Sequence, residues 1–192
     1  AILGQNGLTE IKNANQAQIR GIEADISWAA TYNLRLSGGV AIYDAELTEN
    51  YCGFTDANGD PETNCASPEA PSGTRLPITA DFKGNLTARY TFDVGSFEAH
   101  VQGQVLHEGK RSTDLRTAER AILGDLGAYT LFDLSAGFGR GNWDVDFYIK
   151  NVFDERAELS RFAQCAEAVC GEQAYTVVAR PRTFGVRFSQ DF

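Results

Sequence analysis

The sequence contains no methionine, two histidines, two tryptophans and five prolines in 192 residues. Basic residues are scarce as well, 17 Lys and Arg against 26 Asp and Glu, for a formal charge of -9. No positive field is available to gather a polyphosphate backbone, which excludes nucleic acid as a partner. No window approaches the roughly 18 to 20 consecutive apolar residues of a membrane helix, which excludes a helical membrane protein. The opening residues, Ala1 to Asn6, have neither the basic region nor the apolar core of a signal peptide. Together with the missing initiator methionine, this start reads as a processed protein or an excerpt from a longer one. No Ser-His-Asp or Cys-His arrangement and no cofactor motif is present, so nothing selects a nucleophile and an enzyme is not expected.

What the chain does have is glycine, 12 Phe and 7 Tyr, arranged with a period of two. Ile22, Ala24, Ile26, Trp28 and Ala30 alternate with Gly21, Glu23, Asp25 and Ser27. After Tyr32-Asn33, Leu34 to Ile42 repeats the pattern against Arg35 to Tyr43. Ile78 to Phe92 predicts a third strand, with Lys83, Asn85 and Arg89 on its polar face. Phe97 to Val105, Thr130 to Phe138 and Trp143 to Ile149 predict three more. A seventh runs to Phe192, with its phase slipping between Arg182 and Phe184. The connections alternate between about two to four residues and about 19 to 30, an arrangement not expected of a soluble sandwich. The mean hydropathy of -0.29 is compatible with a strand barrel in lipid, which needs an apolar residue only at every second position.

The sequence therefore predicts an all-β, antiparallel transmembrane β-barrel in a bacterial outer membrane, in contact with its lipid. Trp28, Tyr32, Tyr90, Phe92, Phe138 and Trp143 fall beside the short turns and would form the periplasmic aromatic girdle. Seven strands leave the chain ends on opposite sides of the membrane, so the wall cannot close as an even-stranded barrel. Residues 1 to 16 would have to hide an eighth strand, or the chain is part of a larger barrel, which its weak early alternation favours. A self-contained eight-stranded protein with a structural or adhesion role and a soluble β-sandwich binding module are the competing readings.

Ile19-Arg20-Gly21-Ile22-Glu23-Ala24, Asn151-Val152-Phe153-Asp154 and Arg180-Pro181-Arg182-Thr183-Phe184-Gly185-Val186-Arg187-Phe188 before Phe192 resemble, in order and separation, the C-terminal region of TonB-dependent outer-membrane receptors. The resemblance covers about residues 13 to 192. It implies a barrel of about 22 strands closed by an N-terminal plug. Residues 1 to 192 would then supply roughly the last third of the wall. It also implies import of a scarce ligand such as a ferric siderophore, cobalamin or carbohydrate, energised by TonB, ExbB and ExbD through an N-terminal region that this sequence lacks. The terminal pattern Phe184, Val186, Phe188 and Phe192 resembles the signal read by the barrel-assembly machinery, with Gln190 interrupting it.

The four cysteines fall in the long connections, and an even count outside the cell reads as disulfides. Local pairing joins Cys52 to Cys65 and Cys165 to Cys170, the larger loop contributing about 3 kcal/mol in the chain-entropy model. The two other pairings remain open, and the spacings do not form a usual zinc finger or ribbon. Asp56, Asn58, Asp60 and Glu62 place oxygens at alternate positions, a weak calcium candidate beside the reading as a solvated turn. Inward polar residues include Glu23, Asp25, Arg35, Lys83, Arg89, Glu98, Asp144, Asp146, Lys150 and Arg187. Arg35, Lys83 and Arg89, with Asp114, Arg116, Glu119 and Arg120 of the second long connection and Arg161 of the third, are the candidate ligand or lumen contacts. Glu155 to Ala168, rich in Ala, Glu, Leu and Arg, predicts a short helix.

Overall fold

The computed structural model describes residues 2–3, 9–10, 13–163 and 174–191. Its elements in chain order are β1 (Ile2–Leu3), β2 (Thr9–Glu10), β3 (Ala17–Ala29), β4 (Leu34–Leu47), β5 (Phe82–Val94), β6 (Phe97–Glu108), α1 (Thr117–Leu123), β7 (Tyr129–Arg140), β8 (Trp143–Lys150), β9 (Glu158–Ala163), β10 (Ala174–Val178) and β11 (Thr183–Gln190). Seven of them form one antiparallel sheet in the order β11-β8-β7-β6-β5-β4-β3. β1 pairs only with β2, and β9 only with β10, so among the described residues no eighth strand joins the wall. Among the described residues β3 and β11 keep one free edge each, and the other two sheets have only two strands each, so no second wall of the size a sandwich requires is found.

Register fixes the faces. Lys83 lies opposite Glu108, Arg89 opposite Gln102, and Asp146 opposite both Gly137 and Arg187, so the polar set of every strand shares one face. The other face carries Ile22, Ile26, Trp28, Val40, Leu86, Val101, Leu134, Phe147 and Phe184, large apolar side chains exposed at 39% or more. In water such a face would be an aggregation surface; against acyl chains it is the solvated state. Phe82 to Phe92 is ten residue steps of β5, about 33 Å of strand. At a tilt of about 40° it projects to about 25 Å, the height of an outer-membrane apolar band.

The short turns follow from local chemistry. Gly95 and Gly141, with φ of 63° and 64°, open the turns of the β5–β6 and β7–β8 hairpins in the left-handed region that tight hairpin turns demand. Between β3 and β4, Thr31 Oγ1 accepts from the Asn33 and Leu34 amides. Beside these turns Phe97, Phe138 and Trp143 meet edge to face at 5.9 to 6.1 Å, and Tyr90 stacks on Phe92 at 5.8 Å. Tyr90, Phe92, Phe138 and Trp143 are four of the aromatics expected of the girdle, and Phe97 joins them.

Three expectations change. The alternation from Ile78 continues into β5, but the strand starts at Phe82. Pro77 precedes the stretch, Ile78 has a φ of 60°, and its amide bonds to the Ser112 carbonyl of the next long connection. Residues Glu158–Ala163 form a strand rather than a helix, because they pair with β10; the helix is α1 instead. The phase slip before β11 disappears, since Arg182 lies outside the strand.

Candidate functional site

The packed core of this chain sits in the long connections. Among the described residues, ten of the eleven buried hydrophobic residues, all but Ala99, lie at the long-loop end, among them Leu47, Tyr51, Cys52, Ala70, Ala80, Leu123 and Leu126. Leu47, Tyr51 and Ala70 form one cluster, with Leu76 and Leu115 packed against it. A wall with lipid on one side and a lumen on the other has no interior, so the burial that orders this end is contributed by loops 48–81, 109–128 and 151–182 packing on one another.

Each loop is tied to the next through the backbone. Loop 48–81 is closed by the Cys52–Cys65 disulfide, with a Cα separation of 6.2 Å. Its Glu69 carbonyl accepts from the Thr117 amide at 2.8 Å and from Thr117 Oγ1 at 3.0 Å, which satisfies the first backbone amide of α1. Thr113 Oγ1 donates to the Gly124 carbonyl at 2.6 Å, just past the end of α1. Cys165 and Cys170 lie outside the described residues.

Arg111 joins the second loop to the third. Its side chain is 4% exposed, its guanidinium donates to the carbonyls of Glu158 at 2.8 Å and Leu159 at 3.2 Å, and it sits 3.4 Å from Glu108 and 5.3 Å from the centre of the Tyr129 ring. Tyr129 Oη also donates to Glu108 at 2.6 Å, and Lys83 reaches the same carboxylate at 3.1 Å. In return Arg161 of β9 donates to the Leu123 carbonyl at the end of α1 and pairs with Glu158. Arg111 carries no alternation signal, because it stands just beyond a strand end; nothing in the sequence singles it out.

The base of the third loop explains why two of the sequence motifs occur together. Asn151 and Asp154 adopt φ of 51° and 54°, a region Asn and Asp tolerate better than most residues. Buried Asn151 donates to the carbonyls of Glu155 at 3.0 Å and Arg180 at 2.9 Å and accepts from the Glu155 amide. Asp154 accepts from the Arg182 amide at 2.8 Å, and Arg182 donates to the Val152 carbonyl. Asn151-Val152-Phe153-Asp154 and Arg180-Pro181-Arg182 are thus two halves of one corner that sets where β11 begins.

The candidate contacts divide by location. In the second loop, Arg116 pairs with Asp114 at 3.2 Å and Glu119 at 2.7 Å, and Arg120 pairs with Asp125 at 2.7 Å. With Arg161 they are engaged in ties within and between loops. Burial alone would lower the Arg116 pKa, but the Asp114 hydrogen bond and the nearby charges of Asp114, Glu119 and Glu69 together hold it above the usual value. The Arg120 hydrogen bond holds the Asp125 carboxyl below its usual range, and the Arg182 amide does the same for Asp154. On the lumen face, Glu23, Asp25, Tyr43, Lys83, Glu108 and Tyr129 surround a concave patch of about 380 Å³ beneath the cap. Tyr43 Oη donates to Glu23. Further along, His100 meets Asp146 at 3.0 Å and Lys150 meets Asp133 at 2.8 Å, while Arg89 donates to Gln102 at 3.4 Å.

Asp56 is turned onto its own loop, accepting from the Asn58 and Asp60 amides at 2.8 and 2.9 Å, and the Asp60 and Asn58 amides hold its carboxyl below the usual range. Glu62 accepts from the Thr63 and Asn64 amides. Among the described residues no group of three or more His, Cys, Asp and Glu gathers to hold a metal ion. Phe184, Val186 and Phe188 are exposed at 63 to 68% on the outward face of β11, opposite Ile149, Phe147 and Val145. Phe192 lies outside the described residues.

Residues 2–152 match the family described as TonB dependent receptor-like, beta-barrel. No curated protein matches the sequence. Among solved structures, the ferric yersiniabactin uptake receptor FyuA from Yersinia pestis aligns over 97% of this chain and 25% of its own, at 18% identity and a TM-score of 0.72. The siderophore receptor PiuA from Acinetobacter baumannii aligns over 90% of this chain and 21% of its own, at 19% identity and 0.64. BauA, the ferric preacinetobactin receptor from the same organism, aligns over 92% and 22%, at 19% identity and 0.62. The chain therefore spans about a quarter of the length of the structures it resembles.

Proposed function

The chain belongs to the TonB-dependent receptors, through their β-barrel domain, and from that premise we propose that residues 1–192 form the C-terminal third of the barrel wall in an importer of a scarce ligand. Receptors of this family are outer-membrane proteins that bind and carry ligands and are not enzymes. The observation that carries the proposal is the open seven-stranded sheet, apolar outside and polar inside, with every long connection packed into a cap at one end.

In this reading β3 and β11 pair at their free edges with strands that these residues do not include, which removes the unsatisfied backbone groups that an open sheet would leave in lipid. The plug and the segment contacting TonB, ExbB and ExbD belong to the rest of the receptor. The barrel-assembly machinery would read β11, whose outward aromatics stand on a free edge. A ferric siderophore is the leading ligand class, because three structures that align along 90% or more of this chain are named as a ferric yersiniabactin uptake receptor, a siderophore receptor and a ferric preacinetobactin receptor. Cobalamin and carbohydrates are the next candidates.

The cap and the concave patch beneath it mark where such a ligand would meet this part of the wall. The test is uptake of radiolabelled iron from a panel of ferric siderophores by cells carrying the full-length receptor, with and without TonB. Uptake that requires both receptor and TonB is the expected result. Ligand entry that persists without TonB would contradict the reading.

A further inference from the structure

The apolar face of the wall carries a groove. It crosses from β11 to β4 over five strand spacings, about 24 Å, and encloses about 860 Å³. Ala88, Gly103 and Ala136 line it beside the larger Tyr90, Phe147 and Phe184. At its β11 end the groove meets the corner that joins residues 151–156 to residues 179–182. Phe184 belongs to both, because the Arg182 guanidinium lies over its ring at 5.9 Å from the centre. Among the described residues that guanidinium donates only to a neutral group, the Val152 carbonyl at 3.3 Å. Arg156, its side chain 65% exposed, reaches Asp154 at 3.3 Å, and the same carboxylate accepts from the Arg182 amide. The corner sets Arg156, Arg180 and Arg182 against Asp154 and Glu155, an excess of one positive charge in a chain whose formal charge is -9. Phe153, 70% exposed, packs edge to face on outward Phe132 at 5.1 Å beside it.

We infer that the corner and the groove together bind one phosphate-bearing lipid of the outer leaflet, with its phosphate on Arg156 and Arg182 and an acyl chain in the groove. Two features of the site select this occupant. The groove lies on the face that an outer-membrane barrel turns to lipid, so hydrocarbon fills it. The corner stands at the long-loop end of that same face, where the apolar band gives way to headgroups, and its spare positive charge complements an anionic one. Arg182, seated on the ring of Phe184, is held at that boundary. A phosphate offers several acceptor oxygens to two guanidinium forks that now have one carboxylate, Asp154, between them. A groove without a cation would take any acyl chain, and exposed arginines without a groove would take any anion; their junction at Phe184 requires both in one molecule. The inference is independent of what the receptor imports.

The experiment uses the full-length receptor, purified in detergent and stripped of lipid. Retained lipid is counted by native mass spectrometry after addition of diphosphoryl lipid A or its dephosphorylated form. Wild type should retain the diphosphoryl form about tenfold more strongly. Arg156→Gln/Arg182→Gln should abolish that preference and leave retention of the dephosphorylated form unchanged, while Arg156→Lys/Arg182→Lys should keep part of it. Gly103→Val should weaken both forms, because a Cβ there makes ordinary contact with Leu134 at 3.6 Å and the added methyl groups fill the groove. Inorganic phosphate, equimolar with the lipid, should not displace it. Equal retention of the two forms by wild type overturns the inference, and so does a Gln variant that still prefers the diphosphoryl form. Unchanged retention in Gly103→Val overturns it as well, since the groove then holds no chain. Displacement by inorganic phosphate would show a site for a free anion, which also overturns it.

Discussion

Replacing Arg111 by alanine removes one of the two side-chain ties, Arg111 and Arg161, that join the second outer loop to the third, together with contacts to two strand-end residues of the wall. Two donations to the Glu158 and Leu159 carbonyls, the contact with Glu108 and the stacking over Tyr129 are lost together. Hydrogen bonds from a charged donor contribute about 1.5 to 3 kcal/mol each, but these two share one side chain and the carbonyls can recruit water once exposed. The cation–π contact adds about 0.5 to 1 kcal/mol. Glu108 is not orphaned, because Lys83 and Tyr129 still hold it, so the larger penalty of a stranded buried charge does not arise. The net cost is about 3 to 4 kcal/mol, localised to the contact between Arg111 and β9. Hydrogen exchange on the full-length receptor in a bilayer reads it directly: amides of residues 158–163 and 174–178 should exchange about 100- to 1000-fold faster. Those of β5 to β8 should keep their rates. Arg111→Lys keeps the charge but loses the fork, and should fall between the two. Unchanged protection in the hairpin, or a uniform loss across the wall, would refute the assignment of Arg111 as a tie between these loops.

Other outcomes follow from the same contacts. Cys52→Ser/Cys65→Ser should destabilise the first loop by about 3 kcal/mol in the chain-entropy model, read as faster proteolysis between residues 53 and 64 with barrel mobility unchanged on heat-modifiable gels. Asp154 has its carboxyl held below the usual carboxylate range, first by the Arg182 amide, so its contribution is complete above the ordinary Asp value of about 4 and is lost as pH falls through the depressed folded value. Loosening of the 151–182 corner, followed by exchange at Arg182, should begin only in that acid range, and Asp154→Asn should remove the dependence. Tyr148 lies directly over Gly185, where an added Cβ would overlap its ring. Gly185→Val should therefore displace the ring, weaken β8–β11 pairing and lower the yield of assembled barrel, while Gly59→Ala, in open space, leaves the barrel intact. Leu126→Ala, at a fully buried site of the cap, should cost about 2 to 5 kcal/mol in a thermal-unfolding measurement sensitive to the loops.

The wall was legible in the sequence because a period of two is a local signal, and a strand with lipid on one face and polar groups on the other must show it. β8 runs from Trp143 to Lys150 as the alternation implies, and the faces of β3 to β7 agree with their parity. Failures occur where a distant contact overrides the local pattern. Ile78 to Asp81 alternates correctly, yet Pro77 and the hydrogen bond from Ile78 to Ser112 take it out of the sheet. Glu158 to Ala163 has the composition of a helix and becomes a strand because β10 is available to pair with it. Thr117 to Leu123, similar in composition, becomes the helix, with Glu69 satisfying its first backbone amide. The cap was the least legible part, since Arg111 reaches residues 47 and 48 positions away and Asn151 reaches one 29 positions away. The motifs around Asn151 and Arg182 were visible as words; their meeting in one corner required the fold.

The central claim is that one parity of each wall strand faces lipid and the other faces the lumen of a larger barrel. Spin labels placed singly at residues 84 to 91 of β5 in the full-length receptor, in a bilayer, test it most directly through their collision rates with oxygen and with a water-soluble nickel chelate. The account predicts strict alternation, with Gly84, Leu86, Ala88 and Tyr90 oxygen-accessible and Asn85, Thr87, Arg89 and Thr91 shielded from lipid. Accessibility without a period of two, or with the two sets exchanged, would contradict it.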